Sequence, residues 1–481
     1  MARDVERFFV GGEWVEPSGD ERVDVLNPAT EEAIARAAVP DTKDAVRAVE
    51  AARRAFDEGP WPRLAVAERA AALRRMHEAL RARKRELIDL VIDEVGATVV
   101  LAKTFQAGWA IDAFEQCAQW TEEFAWERRT PDREQPLRVE SVMVHEPVGV
   151  CVGITPFNYP FFVNAWKVAP AIAMGNTIVL KPAPWTPLDA FEIARAAEEA
   201  EIPPGVVNVI GGGGVDVGEE LVSNPLVDMV SFTGSVPAGR RVGALAAQTI
   251  KKVQLELGGK SAAIALEDAD PATIVMNAIS GCMTHAGQGC GCTTRLLLPE
   301  QSHDAVVDQL AATCASIVVG DPRDETTVVG PLIREQHRER VEGYVQAGIG
   351  EGATLAVGGS KPDRPGFFFQ PTVFTDVTPD MTIAREEIFG PVLSVMRYHD
   401  VDEAVRIAND STFGLAGAVI SPDRERAREV AMQLRTGYVG LGIGVPNFNG
   451  SWGGYKQSGV GREWRDGLAE YTETKHLTWL V

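Results

Sequence analysis

A cysteine among small residues stands in the segment His-Ala-Gly-Gln-Gly-Cys-Gly-Cys-Thr-Thr-Arg, which covers residues 285–295. Cys290 has a glycine on each side, and glycine lets the backbone approach a bound molecule because it has no Cβ. A thiol in such a place can reach a substrate and act as a nucleophile if its surroundings activate it. Taken alone, however, the motif favours a flexible turn in which Cys290 is merely small.

Three further polar residues stand in short motifs of their own. Asn158 lies in Thr-Pro-Phe-Asn-Tyr-Pro, Glu256 in Leu-Glu-Leu-Gly-Gly-Lys and Glu387 in Glu-Glu-Ile-Phe-Gly-Pro. Locally, the asparagine suits the cap of a turn, and each glutamate suits a solvent-exposed carboxylate at a strand end or in a turn. With the Cys290 motif, in this order and at these separations, the motifs resemble those of the aldehyde dehydrogenase superfamily. The resemblance runs from about Phe9 to Trp479.

The resemblance implies that an aldehyde is oxidised to an acid. A free aldehyde lacks the oxygen that drives hydride departure, and a thiolate overcomes this by adding to the carbonyl to form a thiohemiacetal. Cys290 is then the nucleophile, and the Asn158 side chain and the Cys290 backbone N–H stabilise the oxyanion. Glu256 follows an apolar strand and precedes two glycines. It is the candidate base that activates water against the thioester, in a partly dry cleft that raises its pKa.

The cofactor side lacks a G-x-G-x-x-G fingerprint placed between a strand and a helix. The segment Phe-Thr-Gly-Ser-Val-Pro-Ala-Gly, residues 232–239, lies between a predicted strand and a predicted helix. It suits a pyrophosphate at a helix N-terminus, although an ordinary tight turn fits the local pattern equally well. The superfamily uses such a Gly-Ser turn, and the resemblance assigns Gly234, Ser235 and Gly239 to it.

Further cofactor contacts are implied by the same resemblance. Lys181 ends a predicted strand and matches the family's ribose-binding lysine. Many NAD-preferring members carry a glutamate three residues later, where this chain has Pro184. No carboxylate there repels a 2′-phosphate, so the sequence leaves NADP open, while NAD is the expected cofactor. Glu387 and Phe389 match the residues at the nicotinamide ribose and ring, and Phe157 is assigned to the cofactor side with them.

The substrate side is expected to be apolar. By resemblance, the tunnel is lined by Tyr159, Val163, Trp166 and Trp452. Aromatic and apolar walls suit a hydrophobic aldehyde. These segments contain no arginine that would bind a substrate carboxylate, which disfavours a semialdehyde acid unless a distant loop supplies one. The segment Gly440–Gly444 departs from the bulky residues and asparagine usual in the family, so the shape of the substrate loop stays open.

Composition excludes several other classes of protein. The 481 residues are 45% hydrophobic and 24% charged, as in soluble globular proteins, and the net charge of −21 disfavours nucleic acid as a partner. No run of 18 or more apolar residues is present, and the first residues lack an apolar signal core, so we expect a cytoplasmic protein with no membrane contact.

Cys290 and Cys292 are spaced C-x-C without a second Cys/His pair, so we expect no metal. Neither Cys292 nor His285 is assigned a catalytic role, and His285 suits a buried, hydrogen-bonded histidine.

Strand and helix signals alternate from residue 148 onwards, which predicts an α/β fold with parallel sheets covered on both faces. We expect a Rossmann-like cofactor domain, a catalytic domain and a small β oligomerisation flap. The predicted boundaries are 1–129 and 147–256 for the cofactor domain, 257–447 for the catalytic domain, and 130–146 and 448–481 for the flap and C-terminal segment. Helical spacing is found over 41–57, 64–95 and 104–128. The flap, by resemblance, implies a homo-oligomer, either a dimer or a tetramer.

Two rival functions follow from the same sequence. A CoA-acylating relative would release the thioester to CoA, but such enzymes generally lack the general base, so Glu256 argues against this reading. A catalytically silent protein on the same fold would be expected to have lost Cys290, Asn158 or Glu256, and all three are present.

Overall fold

The first large sheet is built from the strand–helix alternation that begins near residue 148. In a computed structural model, which describes residues 4–133 and 135–481, it has eight strands. In spatial order they are Glu13–Val15, Phe8–Val10, Val207–Val209, Thr177–Lys181, Val150–Ile154, Met229–Thr233, Lys252–Glu256 and Gly459–Val460. The five central strands, from Val207–Val209 to Lys252–Glu256, are parallel. Phe8–Val10 at one side and Gly459–Val460 at the other are antiparallel to them, and Glu13–Val15 is antiparallel to Phe8–Val10.

Helices cover this sheet because its strands are apolar on both faces. The covering helices are Thr42–Asp57, Pro160–Ala173, Leu188–Glu199, Val215–Ser223 and Val236–Ala246. Thr42–Asp57 starts at a capping box, in which the Asp41 carboxylate accepts from the Lys43 and Asp44 amides. One apolar core includes these helices and strands.

The second large sheet has seven strands and its own apolar core. In spatial order they are Thr354–Val357, Thr372–Thr375, Val392–Tyr398, Arg295–Pro299, Ala262–Ala265, Ala416–Ile420 and Tyr438–Leu441. All neighbours are parallel except the first pair. The covering helices are Pro271–Cys282, His303–Ser316, Glu335–Gly350, Val401–Asn409 and Arg424–Ala431. The predicted α/β fold with two parallel-sheet units is confirmed.

The N-terminal helical region differs in detail from its sequence pattern. The segment 64–95 forms two helices, Val66–Ala82 and Lys84–Val95, because Arg83 leaves the helical conformation. The segment 104–128 contains the helix Gly108–Glu123, which is preceded by a π-helical turn, Ala102–Gln106. Several elements had no counterpart in the sequence prediction, among them the hairpin Arg22–Leu26 with Ala33–Ala38, the helices Val215–Ser223 and Glu335–Gly350, and the strand Thr354–Val357.

A three-stranded sheet stands apart from the two large ones. Its strands are Thr472–Leu480, Val139–Pro147 and Glu127–Arg129, in that order, and all are antiparallel. The C-terminal segment also supplies Gly459–Val460 to the first large sheet. The domain boundaries given above stay a prediction. Within residues 4–133 and 135–481, none of the helices combines the length and apolar character needed to cross a membrane.

Candidate active site

A cavity of about 270 Å³ lies where the carboxyl ends of the first sheet's strands face the loop that carries Cys290. The predicted catalytic residues and most of the predicted cofactor residues line it, namely Cys290, Glu256, Asn158, Gly234, Ser235, Phe157, Glu387 and Phe389. Cys290 follows the helix Pro271–Cys282 of the second sheet, whereas Asn158 and Glu256 follow strands of the first. The cavity therefore exists only where the two sheets meet.

Hydrogen bonds fix both the side-chain amide and the backbone carbonyl of Asn158. Its Nδ2 donates to the carbonyl of Gln288 at 2.7 Å. Its own carbonyl accepts from Gln106 Nε2 at 2.8 Å and lies 2.6 Å from His285 Nε2. A carboxamide has two N–H donors, so one remains for a ligand in the cavity. The sequence did not indicate that Gln106 and Gln288 would contact Asn158. Gln106 lies in a helical segment and Gln288 in a glycine-rich one, and neither pattern reveals which distant residue forms a hydrogen bond with it.

His285 is buried, which agrees with the sequence-based expectation of a buried, hydrogen-bonded histidine. Burial lowers the pKa of His285 to about 4, so the ring is neutral at neutral pH. A neutral ring has one N–H, and the contact with the Asn158 carbonyl requires that hydrogen on Nε2. The backbone of His285 is left-handed, with φ of 54°, and places the ring 5.0 Å from that of Tyr159. The histidine thus supports the asparagine rather than facing the cavity.

Glu256 ends its strand with the side chain almost fully buried, at 3% exposure. Burial raises the pKa of Glu256 well above its usual range, and the Glu463 carboxylate adds to the rise. Lys167 opposes it, and its ammonium lies 2.6 Å from Glu463 in a buried ion pair. Neither carboxylate oxygen of Glu256 has a hydrogen-bond partner of normal geometry among the described residues. The carboxyl group therefore holds a proton more strongly than an exposed glutamate does, and it accepts a proton more readily once ionised.

Cys290 is half-buried at the wall of the cavity. Burial raises the pKa of its thiol, and the carboxylates of Glu387 and Glu256 raise it further. The thiol is therefore protonated at rest. A nucleophilic Cys290 requires a base in the same cavity, and the carboxyl of Glu256 is one of the groups that line it.

Glu387 also faces the cavity. It accepts from the Gly259 amide at 3.0 Å, and burial raises its pKa to about 7. A Cβ on Gly258 would lie 2.1 Å from the Glu387 carboxylate, so this position needs glycine. Arg340 donates to the backbone carbonyl of Glu387 at 2.7 Å and fixes the loop from outside.

The cavity has features that fit a dinucleotide. The turn Gly234-Ser235 opens the helix Val236–Ala246, where free N–H groups favour an anion. The ring of Phe157 lies 5.8 Å from that of Phe389, which gives the opposite wall flat aromatic surfaces. Gly239 lies one turn into the helix, and a Cβ there would lie 2.4 Å from Leu257, so its glycine serves helix packing. The cavity is also lined by residues that the sequence did not indicate, among them Trp185, Arg334, His337 and Arg340.

Lys181 lies beneath this cleft rather than in its wall. It ends the strand Thr177–Lys181, with 6% of its surface exposed. Burial lowers the pKa of Lys181 to about 8, and the carboxylate of Asp216 opposes that shift. Asp216 follows the four-glycine segment 211–214, and a Cβ on Gly212 would lie 2.3 Å from Cα of Pro184. The glycine segment therefore packs on Pro184, and Asp216, which follows this segment, supplies a carboxylate that acts on Lys181.

The predicted substrate residues form an aromatic layer beside the site. Tyr159 and Val163 are half-buried, whereas Trp166 is fully buried and lies 5.4 Å from Phe448. Trp452 is half-buried, and a Cβ on Gly291 would lie 2.9 Å from its indole. A second cavity of about 150 Å³ borders the same glycine. It is lined mainly by small residues, including Gly440, Gly442, Gly444, Ala416 and Ala418.

Metal ligation is not evident at this site. Within the described ranges, 4–133 and 135–481, His, Cys, Asp and Glu side chains form no group of three or more that is placed to hold a metal ion.

The fold and this cavity define an enzyme of the aldehyde dehydrogenase class. Residues 14–477 match the model of the aldehyde dehydrogenase family, and the chain belongs to that family. Among its relatives, 3-succinoylsemialdehyde-pyridine dehydrogenase of a Pseudomonas species is 44% identical over 478 residues, covering 98% of each chain. Geranial dehydrogenase of Castellaniella defragrans is 41% identical over 464 residues, covering 96% of each.

Solved structures show the same fold. Aldehyde dehydrogenase of Mycobacterium tuberculosis, complexed with NAD⁺, is 41% identical and superposes with a TM-score of 0.95, covering 99% of this chain and 98% of that one. The NAD-dependent aldehyde dehydrogenase of Sinorhizobium meliloti is 38% identical, with a TM-score of 0.96 and coverage of 99% and 95%. Oxidation of an aldehyde is therefore the general activity of this protein.

Proposed function

We propose that the protein oxidises a neutral, largely apolar aldehyde to the carboxylic acid, with NAD as cofactor and Cys290 as the nucleophile. The observation that carries this proposal is the meeting of Cys290, Asn158 and Glu256 in one cavity, although they come from two different sheets. A thiol, an amide donor and a buried carboxyl are the groups that covalent aldehyde oxidation needs.

In the first half of the reaction, a carboxylate accepts the proton of the Cys290 thiol, and Glu256 is the candidate. The sulfur forms a bond to the carbonyl carbon, and the carbonyl oxygen becomes an oxyanion. The free N–H of the Asn158 side chain stabilises that charge, because its other N–H is already held by the Gln288 carbonyl. Pinning the amide in advance removes the cost of orienting it during the reaction.

The cofactor residues are Gly234, Ser235, Phe157, Glu387 and Phe389, together with Lys181 at the ribose. When bound, the nicotinamide accepts the hydride from the substrate carbon. The rest of the cavity holds the reacting groups in place and keeps water away from the thiol. The solved relatives that contain NAD⁺ support the choice of cofactor.

In the second half, after Glu256 has passed the proton from the thiol to solvent, it removes a proton from a water molecule, whose oxygen attacks the thioester carbon. The bond to sulfur breaks, the acid leaves, and Cys290 regains a proton. A carboxylate with a raised pKa is a stronger base than an ordinary one, which suits this step. The presence of Glu256 in the cavity also argues against release of the acyl group to CoA.

NAD is preferred over NADP in this proposal. Pro184 removes one carboxylate from the ribose side, but Asp216 acts electrostatically on Lys181 from the adjoining glycine segment. A carboxylate near that lysine disfavours a 2′-phosphate by charge repulsion. The sequence alone had left the two cofactors open.

For the aldehyde, we propose a substrate with an apolar or aromatic body that packs against Tyr159, Val163 and Trp452, with the fully buried Trp166 in the layer behind them. Geranial dehydrogenase and 3-succinoylsemialdehyde-pyridine dehydrogenase are relatives whose named substrates differ in polarity. The aromatic layer of this chain supports the apolar choice. A cytoplasmic location and a homo-oligomer, dimer or tetramer, remain parts of the proposal.

The test is to follow NADH and NADPH formation optically over aliphatic, aromatic and terpenoid aldehydes, with and without CoA. Wild type is compared with Cys290→Ala, Glu256→Ala and Cys292→Ala, the last being the matched control because Cys292 lies two residues from the nucleophile. We expect turnover without CoA that requires Cys290 and Glu256 but not Cys292. Full dehydrogenase activity in Cys290→Ala would refute the mechanism.

A further inference from the structure

We infer that Arg334, stacked on Trp185, binds the diphosphate of the dinucleotide cofactor. The inference rests on the proposed function, because it concerns the cofactor side of the same cavity. Neither residue belongs to the motifs that the sequence reading assigned to the cofactor.

The arginine is held by an aromatic face. Its guanidinium carbon lies 3.4 Å from the centroid of the Trp185 ring, which places the cation over the ring. The N–H donors of a guanidinium lie in its plane, so stacking occupies the face and leaves the edges free to donate. Since stacking fixes the position of the side chain, less conformational entropy is lost when an anion binds.

The aromatic support belongs to the wall of the cavity. The ring of Trp185 lies 5.5 Å from that of Phe157, and the ring of Phe157 lies 5.8 Å from that of Phe389. These rings and Arg334 line the cavity that contains Cys290. The guanidinium is therefore anchored to the surface that the proposed function assigns to the cofactor.

The charges of the cavity point to an anionic ligand. Of its two arginines, Arg340 already donates to the Glu387 carbonyl at 2.7 Å and to the Tyr344 hydroxyl at 3.5 Å. Arg334 has no ion pair with a carboxylate among the residues that the structure describes. It is half-buried, and burial lowers its pKa. A partly desolvated cation without a partner is unfavourable until an anion joins it.

The diphosphate suits this cation better than a 2′-phosphate would. The turn Thr233–Ser235, with the helix N-terminus behind it, lines the same cavity as Arg334. Lys181, the candidate for the ribose that would carry a 2′-phosphate, is not among the described residues that line it. In a chain of net charge −21, a local cation is needed to offset repulsion of the two phosphates.

The experiment measures dissociation constants of the intact enzyme for NAD⁺, ADP-ribose and adenosine. NAD⁺ and ADP-ribose are titrated calorimetrically, and adenosine by competition. The variants are Arg334→Gln and, as matched control, Arg364→Gln. Arg364 also stacks on an aromatic ring, Phe368 at 4.4 Å, but does not line the cavity. We expect Arg334→Gln to weaken NAD⁺ and ADP-ribose about tenfold and to reduce their salt dependence, while adenosine binding stays unchanged. Arg364→Gln should bind all three like the wild type.

Several results would overturn the inference. Unchanged binding of ADP-ribose would show that Arg334 does not contact the diphosphate. An equal loss for adenosine would indicate a structural role. A wild-type enzyme that binds no NAD⁺ would refute the proposed function itself, which separates the two failures.

Discussion

Burial is the main influence on the reactive side chains of this cavity. It raises the pKa of the Glu256 carboxyl and of the Cys290 thiol, and it lowers that of the His285 ring. Each shift favours the neutral form of its group. The resting site is therefore poor in charge, and ionisation of its acids requires a higher pH than the same groups would need in water.

The hydrolytic step should consequently become faster as pH rises. Below the raised pKa of Glu256, the carboxyl is protonated and accepts no proton from water; above it, the carboxylate is available. We expect the kcat of the wild type to increase with pH above the range in which an ordinary glutamate ionises, and Glu256→Gln to lose this increase. Stopped-flow NADH formation in Glu256→Gln should be slower than in the wild type in the first turnover as well as in the steady state, because the same carboxylate is proposed to accept the thiol proton.

The control for this profile is Glu300→Gln, which changes an exposed glutamate far from the cavity, at 58% side-chain exposure. It should follow the wild-type profile. A pH profile in Glu256→Gln that matches the wild type would contradict the assignment of the base.

The contact between His285 and the Asn158 carbonyl leads to a second prediction. His285→Leu removes one of two donors to that carbonyl, which loosens the amide that faces the oxyanion. We expect kcat/KM to fall roughly tenfold, through kcat, with the Kd of NAD⁺ unchanged. Steady-state kinetics and calorimetry check the two parts, and the exposed His399→Leu is the control. A loss expressed only in aldehyde KM would speak against this role.

The sequence indicated the site residues that belong to local motifs, and it did not indicate those that reach the site through contacts with distant parts of the chain. Cys290, Asn158 and Glu256 were predicted from local motifs and resemblance, and the structure brings them into one cavity. Gln106 lies in a π-helical turn, and Arg334 precedes an unpredicted helix. Neither position carries a local pattern that says which backbone carbonyl or aromatic ring the side chain will meet.

The helix Val236–Ala246 packs closely against the segment that follows Glu256. A Cβ on Gly239 would lie 2.4 Å from Leu257, so the helix can lie this close to the segment after Glu256 only with glycine. Gly239→Ala should displace the start of the helix, lower stability by about 1–3 kcal/mol and weaken NAD⁺ binding. Thermal unfolding and calorimetric titration measure both effects.

The same helix offers a matched control. A Cβ on Gly243 would meet only Leu255, at 3.9 Å, which is ordinary contact. Gly243→Ala should leave binding unchanged and stability equal or slightly higher, since alanine favours helix. If the two variants behaved alike, close packing at Gly239 would not be the reason for its glycine.

Elements with clear apolar patterns were predicted well, and those with polar buried faces were not. The strand Lys252–Glu256 was predicted with the bounds that the structure has. The helix Glu335–Gly350 was missed because it buries His337 and Arg338, which obscures its apolar spacing. The helical pattern over 64–95 was continuous, yet the chain turns at Arg83, since spacing alone does not reveal a break between two helices of the same period.

For the whole molecule, the strand Thr472–Leu480 is the most exposed feature. It is an edge strand of the three-stranded sheet, and Leu477, Trp479 and Leu480 are 46%, 45% and 69% exposed. An exposed edge strand that carries large apolar side chains near its end is a ready surface for another chain. This geometry supports the homo-oligomer that the family resemblance implied.

Leu477→Glu combined with Trp479→Glu should therefore break the assembly. We expect light scattering after gel filtration to give the mass of the single 51.9-kDa chain for this variant and a multiple of it for the wild type. Met432→Glu, which alters another exposed apolar residue, at 74% exposure, is the control and should keep the wild-type mass. An unchanged oligomer in the double variant would place the interface elsewhere.

Alternation of strands and helices was enough to predict two parallel-sheet units, because each strand–helix–strand unit must cover a sheet face. The sequence did not reveal that Gly459–Val460 joins the first sheet beside Lys252–Glu256. Such a two-residue antiparallel pairing has no periodicity to read, and its partner lies about two hundred residues earlier in the chain.

That late pairing sets an order of events during biosynthesis. Ser458 precedes this short strand, and its hydroxyl donates to the Gly258 carbonyl while accepting from the Gly414 amide. The polypeptide must leave the ribosome as far as Gly459–Val460 before these hydrogen bonds to Gly258 and Gly414 can form. A nascent or prematurely terminated chain would already carry its reactive thiol, but the strand that ends in the candidate base would lack its neighbour. The proposed catalytic machinery is thus complete only after the segment around Ser458 has been synthesised.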